Sequence, residues 1–160
     1  MRLRDMEFTR LFGEQEVQKR VADLAATINE DYKDSQPLIL PVLNGSFIFA
    51  ADLLRHLVIE PRISLVKHSS YNGNVSAGQL KTIIGLQESV FNQDVLIVED
   101  IIDSGQTIHQ VVEELSTLGT KSVEVAVLLR KQKSNGNGRH IKYVGFDIPD
   151  HFVVGYGLDY

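Results

Sequence analysis

The stretch VLIVEDIIDSGQTIHQ, Val95–Gln110, contains the pattern that predicts the fold class. Its four leading apolar residues suffice for a buried parallel strand, and the acidic pair Glu99 and Asp100 follows them directly. After Thr107 the apolar spacing becomes helical, with Gly119 as the predicted stop and a predicted buried face of Ile108, Val111, Val112, Leu115 and Leu118. A strand, an acidic loop, a Ser-Gly-x-Thr turn and a helix, in this order, are typical of the place where an open α/β sheet binds ligands.

The turn before this helix has the chemistry of a phosphate site. A helix N-terminus presents unpaired N–H groups and the positive end of the peptide dipole. Gly105 lets the backbone approach a ligand closely, and Ser104 and Thr107 add hydroxyl donors. The ionised carboxylates of Glu99 and Asp100 suit ribose hydroxyls or Mg²⁺. Each residue alone fits a capped helix beside solvated acids, but the whole set favours a ribose 5-phosphate site.

Composition limits the function classes that remain. A chain of 160 residues predicts one domain, 1–160. The formal net charge of −5 argues against a general nucleic-acid binder. No stretch approaches the ~20 apolar residues that span a bilayer, and the absence of cysteine fits a cytoplasmic protein. An acidic protein that binds a polyphosphate needs positive potential from helix ends, a few basic side chains and divalent metal.

Three further elements precede the central stretch. Leu11–Tyr32 has the apolar spacing of an amphipathic helix. Pro37–Leu43 reads as a buried strand in which Pro41 indicates an irregular or edge position. Asn44-Gly45-Ser46 then leads into a helix, either as a simple N-cap or as a second anion site. The residues expected on its inward face are Phe47, Ala50, Ala51 and Leu54.

The central stretch resembles the phosphoribosyl pyrophosphate signature of type I phosphoribosyltransferases, and its acidic spacing is similar to that of the hypoxanthine-guanine branch. FVVGYGLDY, Phe152–Tyr160, resembles the purine pocket of the same family. The resemblance extends from about Leu38 to Tyr160. It implies an α/β fold with a mostly parallel central sheet flanked by helices, a flexible closing loop and a small hood.

The resemblance also implies roles for the central residues. Asp103 would be catalytic, placed near N7 of the purine, and Glu99 and Asp100 would orient the ribose directly or through metal. The 5-phosphate would sit on Ser104, Gly105, Gln106 and Thr107.

Two loops are implied to cover the substrates. Leu43, Asn44 and Gly45 resemble the pyrophosphate loop, where the peptide corresponding to Leu43–Asn44 is often cis. Many members carry lysine where Asn44 stands, so Asn44 is expected to contribute backbone contacts only. Ser70 and Tyr71 resemble the Ser-Tyr dipeptide of the closing loop.

The purine site is implied by residues near the C-terminus. Lys131 would donate to the 6-oxo group, which favours oxo over amino purines. Phe152 would stack on the base, the Val153 backbone would meet the purine edge, and Asp159 would bind a second Mg²⁺. The sequence ends at Tyr160, whereas relatives continue with a segment whose arginine contacts pyrophosphate; either the protein lacks this segment or the chain continues.

The implied reaction is transfer of ribose 5-phosphate from phosphoribosyl pyrophosphate to a 6-oxopurine, hypoxanthine or guanine, with Mg²⁺ as cofactor. The expected partners are these small molecules and further copies of the chain, in a homodimer or homotetramer, without nucleic acid or membrane and in the cytoplasm. One alternative is a transferase for xanthine or another base. A second is a non-catalytic nucleotide-sensing regulator that binds RNA or DNA, which the acidic charge and Asp103 disfavour.

Overall fold

The computed structural model describes residues 2–3, 6–67, 86, 88–132 and 140–158. Its helices are α1 (Glu14–Asp31), α2 (Phe47–His56) and α3 (Gln106–Thr117). Its strands are β1 (Arg2–Leu3), β2 (Met6–Glu7), β3 (Leu38–Leu43), β4 (Arg62–Ile63), β5 (Val66–Lys67), β6 (Asp94–Ile102), β7 (Ser122–Lys131) and β8 (Ile141–Ile148). The predicted site residues Ser70, Tyr71 and Asp159 lie outside the described residues. Within the described part, no helix has both the length and the apolar character needed to cross a bilayer.

The main sheet is parallel and has the strand order β4–β3–β6–β7–β8, with β5 also paired to β3. The short strands β1 and β2 form a separate antiparallel pair. Helices α1 and α2 pack on one face of the main sheet and α3 packs on the other. The predicted mostly parallel sheet flanked by helices is therefore confirmed.

Strand β6 shows why the sheet is buried on both sides. Val95 and Ile97 belong to the core cluster that contains α3, whereas Leu96 and Val98 belong to the cluster that contains α1 and α2. All four are fully buried. Successive side chains of a strand point to opposite faces, so an unbroken apolar run supplies both cores at once.

The predicted edge or irregular position of Pro41 is corrected in part, because β3 lies inside the sheet. The Ser64 N–H donates to the Ile39 carbonyl at 3.1 Å, so the backbone polar groups of Ile39 point toward the β4–β5 side. The backbone of Pro41, two residues further along the strand, points the same way. Pairing with β4 ends at Ile39 and resumes with β5 at Val42. The neighbouring strand is thus interrupted where Pro41 has no N–H to offer.

The predicted inward face of α2 is also corrected. Phe47 is 60% exposed, and the buried residues of the helix are Phe49, Ala50 and Leu53. Ser46 sets this phase: it is fully buried and its hydroxyl donates to the Val42 carbonyl at 2.6 Å. Positions three, four and seven residues after a buried residue share its helix face, which yields the observed set.

Helix α3 follows the prediction more closely. Its buried residues are the predicted set apart from Leu118, which lies past the last helical residue and is 48% exposed. Gly119 has a φ of +77° and ends the helix as predicted.

Candidate active site

The carboxyl ends of the central strands surround a cleft of about 360 Å³. Ten predicted site residues line it: Leu43, Asn44, Gly45, Glu99, Asp100, Asp103, Thr107, Lys131, Phe152 and Val153. The cleft walls also include Val42, Ile101, His151 and Leu158, which the sequence reasoning missed. His151 and Leu158 lie within or beside the FVVGYGLDY motif, so proximity to that motif is the signal that could have identified them.

The acidic pair lies in strand β6, not in the predicted loop, because the strand continues to Ile102. Both acidic side chains border the cleft. Glu99 Oε2 is buried without a hydrogen-bond partner among the described atoms. Burial, and secondarily the charge of Asp100, raises the pKa of Glu99 well above its ordinary value.

The predicted pyrophosphate loop packs directly on Asp100. A Cβ atom added at Gly45 would lie 2.6 Å from Asp100 Cγ, so only glycine fits there without displacing the carboxylate. Asp100 itself is 7% exposed, and its Oδ1 accepts the Ile101 N–H at 2.8 Å. The Leu43–Asn44 peptide is cis, as the resemblance implied.

The predicted phosphate turn forms the start of α3. Gly105 is the N-cap residue with a φ of +78°, a conformation that glycine adopts without strain. The Ser104 hydroxyl oxygen accepts the Gln106 N–H at 3.4 Å, and the first turn of the helix contains no acidic residue. The positive end of the helix is therefore available for an anion beside Thr107.

Lys131 is the last residue of β7. Its Nζ donates to Asp103 Oδ2 at 3.0 Å and lies 3.2 Å from Asp150 Oδ1. The Lys131 side chain is 11% exposed, whereas both acids are about half exposed. The hydrogen bond to Asp103 is the main cause that raises the pKa of Lys131, against the effect of burial.

The predicted purine loop is anchored from behind by two helices. The Tyr156 hydroxyl donates to Asp52 on α2 at 2.5 Å, and Gln18 on α1 donates to the same carboxylate oxygen at 2.7 Å. The hydrogen bond from Tyr156 lowers the pKa of Asp52. Ahead of this anchor, Phe152 is 57% exposed and lines both the cleft and the neighbouring apolar cavity, and its ring centroid lies 6.3 Å from that of Phe8.

A larger cavity, about 490 Å³, lies on the other side of the purine loop. Apolar side chains such as Phe12 and Phe146 line it, and these two rings stack with centroids 4.0 Å apart. Among the described residues, neither Glu99, Asp100 and Asp103 nor any lysine borders this cavity. The smaller polar cleft is therefore the candidate active site.

These features together define a class of protein. The family model for the phosphoribosyl transferase domain matches residues 9–160, and the chain belongs to that family. It is accordingly an enzyme of pentosyl transfer.

Two curated relatives indicate to which branch of the family the chain is similar. The chain is 42% identical over 151 residues to the hypoxanthine-guanine phosphoribosyltransferase of Bacillus subtilis (strain 168), covering 94% of this chain and 84% of that protein. It is 41% identical over 153 residues to the hypoxanthine phosphoribosyltransferase of Escherichia coli (strain K12), covering 94% and 86%.

Solved structures agree with these relatives. A hypoxanthine-guanine phosphoribosyltransferase from Bacillus anthracis matches with a TM-score of 0.85 at 35% identity, covering 95% of this chain and 88% of that one. A hypoxanthine phosphoribosyltransferase from Trypanosoma cruzi matches with a TM-score of 0.87 at 33% identity, covering 100% and 88%. The predicted resemblance to the hypoxanthine-guanine branch is confirmed.

Proposed function

We propose that this protein transfers ribose 5-phosphate from phosphoribosyl pyrophosphate to N9 of hypoxanthine or guanine, giving IMP or GMP and pyrophosphate. The observation that supports it best is the meeting of Asp103, Lys131 and Phe152 in one cleft, beside the acidic pair of β6. Asp103, Lys131 and Phe152 match the purine, and the acidic pair matches the ribose. Both sets lie at the edge where parallel sheets bind ligands.

The sugar phosphate fits the start of α3. The 5-phosphate accepts hydrogen bonds from the first-turn amides and from the Ser104 and Thr107 hydroxyls, while the ribose hydroxyls donate to Glu99 and Asp100. The buried, unpartnered Glu99 Oε2 supports this placement, because a buried acceptor without a donor is costly until a ligand supplies one. Gly45 allows the pyrophosphate loop to approach Asp100.

The base fits between Phe152 and the two charged groups at the ends of β6 and β7. Lys131 donates to the 6-oxo group, and Asp103 accepts or shares the N7 proton as N9 forms the glycosidic bond. A carboxylate at this position stabilises positive charge that develops on the purine ring, even without complete proton transfer. A 6-amino purine offers Lys131 a donor where an acceptor is needed, so adenine is expected to be a poor substrate.

Mg²⁺ is the proposed cofactor. Among residues 6–67, 86, 88–132 and 140–158, no group of three or more His, Asp or Glu side chains is arranged to hold a metal by itself. Mg²⁺ needs only one or two carboxylates when substrate phosphates and water complete its shell. Asp100 and Glu99 fit that donor set, and Asp159 would bind a second Mg²⁺ beside the pyrophosphate; bound Mg²⁺ would neutralise charge on this leaving group.

We further propose that the protein acts in the cytoplasm as a homodimer or homotetramer. Phe47 and Ile48, exposed by 60% and 38% at the start of α2, support self-association. Light scattering coupled to size-exclusion chromatography tests the assembly, and a monomer at micromolar concentration would contradict it.

A panel of bases tests the function. Hypoxanthine, guanine, xanthine and adenine are each supplied with phosphoribosyl pyrophosphate and Mg²⁺, and pyrophosphate release is measured. We expect turnover of hypoxanthine or guanine and little of adenine. Turnover of xanthine alone would reassign the base, and no turnover of any base together with salt-sensitive RNA binding would replace the enzyme by a regulator.

A further inference from the structure

The strand order places one cation between two acids. Strands β6, β7 and β8 are adjacent and parallel, with Ile102 paired to Arg130 and Lys131 paired to Ile148. The next residue after β6 is Asp103, and Asp150 lies two residues after the end of β8. The middle strand therefore presents its terminal lysine to a carboxylate from each neighbour.

The two acids stand in different relations to the base. Asp103 is the residue that we place at N7, and its negative charge falls as it takes up or shares the N7 proton. Its hold on Lys131 weakens at that moment, because the attraction between the two groups depends on both charges. Asp150 has no such exchange with the base and keeps its full charge.

Lys131 needs that second anion. Its side chain is 11% exposed, so its ammonium has little access to water that could replace a lost partner. An ammonium has three donors, and two are directed at Asp103 and Asp150, which leaves one for a ligand acceptor.

We infer that Asp150 is a positioning residue that holds the Lys131 ammonium against the 6-oxo group of the purine while Asp103 works at N7. This inference rests on the proposed function and adds a residue to its purine site. Asp150 acts through Lys131, so its loss affects binding of the base more than binding of the sugar phosphate.

The chain offers a matched control for this role. Arg130 and Asp147 form an ion pair between the same two strands, with Arg130 Nε 2.6 Å from Asp147 Oδ1. The Asp147 side chain has the same 50% exposure as that of Asp150, but its partner Arg130 does not line the cleft, whereas Lys131, the partner of Asp150, does. Substitution of Asp147 therefore removes an ion pair to β7, as substitution of Asp150 does, and serves as the control.

The experiment compares Asp150→Asn and Asp147→Asn with the wild-type enzyme in steady-state kinetics. For Asp150→Asn we expect the KM for hypoxanthine to rise about fivefold, the scale of one partly exposed ion pair, with the KM for phosphoribosyl pyrophosphate unchanged. For Asp147→Asn both KM values should stay within about twofold of wild type. Thermal unfolding of both variants shows that each is folded at the assay temperature.

Two failures are distinguishable. No turnover by the wild-type enzyme would overturn the proposed function and this inference with it. An active wild type whose Asp150→Asn variant shows an unchanged KM for hypoxanthine, equal rises in both KM values, or the same response as Asp147→Asn would overturn the role of Asp150 alone.

Discussion

Replacing Glu99 with glutamine should make the free protein more stable at pH 8 and should raise the KM of the enzyme for phosphoribosyl pyrophosphate. Burial, and then the charge of Asp100, raises the pKa of Glu99 well above its ordinary value of 4.5. The unfolded chain therefore ionises Glu99 at a lower pH than the folded protein does. The stability that the neutral group contributes is complete below the unfolded pKa and is lost as the pH rises through the folded pKa.

The size of the effect follows from the unpartnered oxygen of Glu99. A buried polar group without a partner costs about 1–3 kcal/mol, and more when it is charged. Glutamine keeps the shape and removes the charge, so we expect the free energy of unfolding to rise by about 1–3 kcal/mol at pH 8 and by much less at pH 5. Because glutamine has only one acceptor oxygen and no charge, weaker hydrogen bonding from the ribose hydroxyls should raise the KM for phosphoribosyl pyrophosphate by about tenfold.

Urea unfolding of wild type and Glu99→Gln at pH 5 and pH 8 measures the difference. Glu114→Gln, at an exposed position of α3, is the control and should change stability little at either pH. A stability difference that is the same at both pH values, or a variant less stable than wild type at pH 8, would refute the reasoning.

Three other substitutions test separate contacts. Asp103→Asn should lower kcat by about 10²-fold or more while calorimetry shows the Kd for phosphoribosyl pyrophosphate changed less than about threefold; equal losses would make Asp103 merely structural. Gly45→Ala places a Cβ 2.6 Å from Asp100 Cγ and should cost about 1–3 kcal/mol of stability. In calorimetry each kcal/mol lost should lower the Tm by about 2–4 °C. Tyr156→Phe removes the 2.5 Å hydrogen bond to Asp52 and should cost about 1.5–3 kcal/mol in urea unfolding; an unchanged midpoint would show that the bond adds no net stability.

The order of strand, turn and helix around Val95–Gln110 could be predicted because each part has its own periodicity. The boundary between strand and acidic pair could not. The acidic pair interrupts the apolar run of β6, but the ladder continues through it, pairing Glu99 with Val127 and Ile101 with Leu129. A strand that ends in a ligand site becomes polar before its backbone pairing ends.

Local apolar pattern also failed at two positions where backbone pairing or a buried polar group accompanies the element. Pro41 resembles an edge residue because a proline lacks an N–H, but the break between β4 and β5 removes the need for one. The buried face of α2 continues that of the N-cap residue Ser46, whose hydroxyl donates to the Val42 carbonyl, and a buried serine is not identified by an apolar period. In both cases the pattern identified the element correctly and its environment decided the detail.

The difference between the predicted and the missed site residues has one physical origin. The family resemblance placed Asp103 and Lys131 in one site, and this needs no knowledge of which strands are neighbours, because all parallel strands of a sheet deliver their carboxyl ends to the same edge. The pairing of Lys131 with Asp150 requires the order β6–β7–β8, and the pairing of Asp52 with Tyr156 joins residues 104 positions apart. Motifs therefore predict which groups meet a ligand, whereas the groups that hold them in place follow only from the strand order and the helix packing.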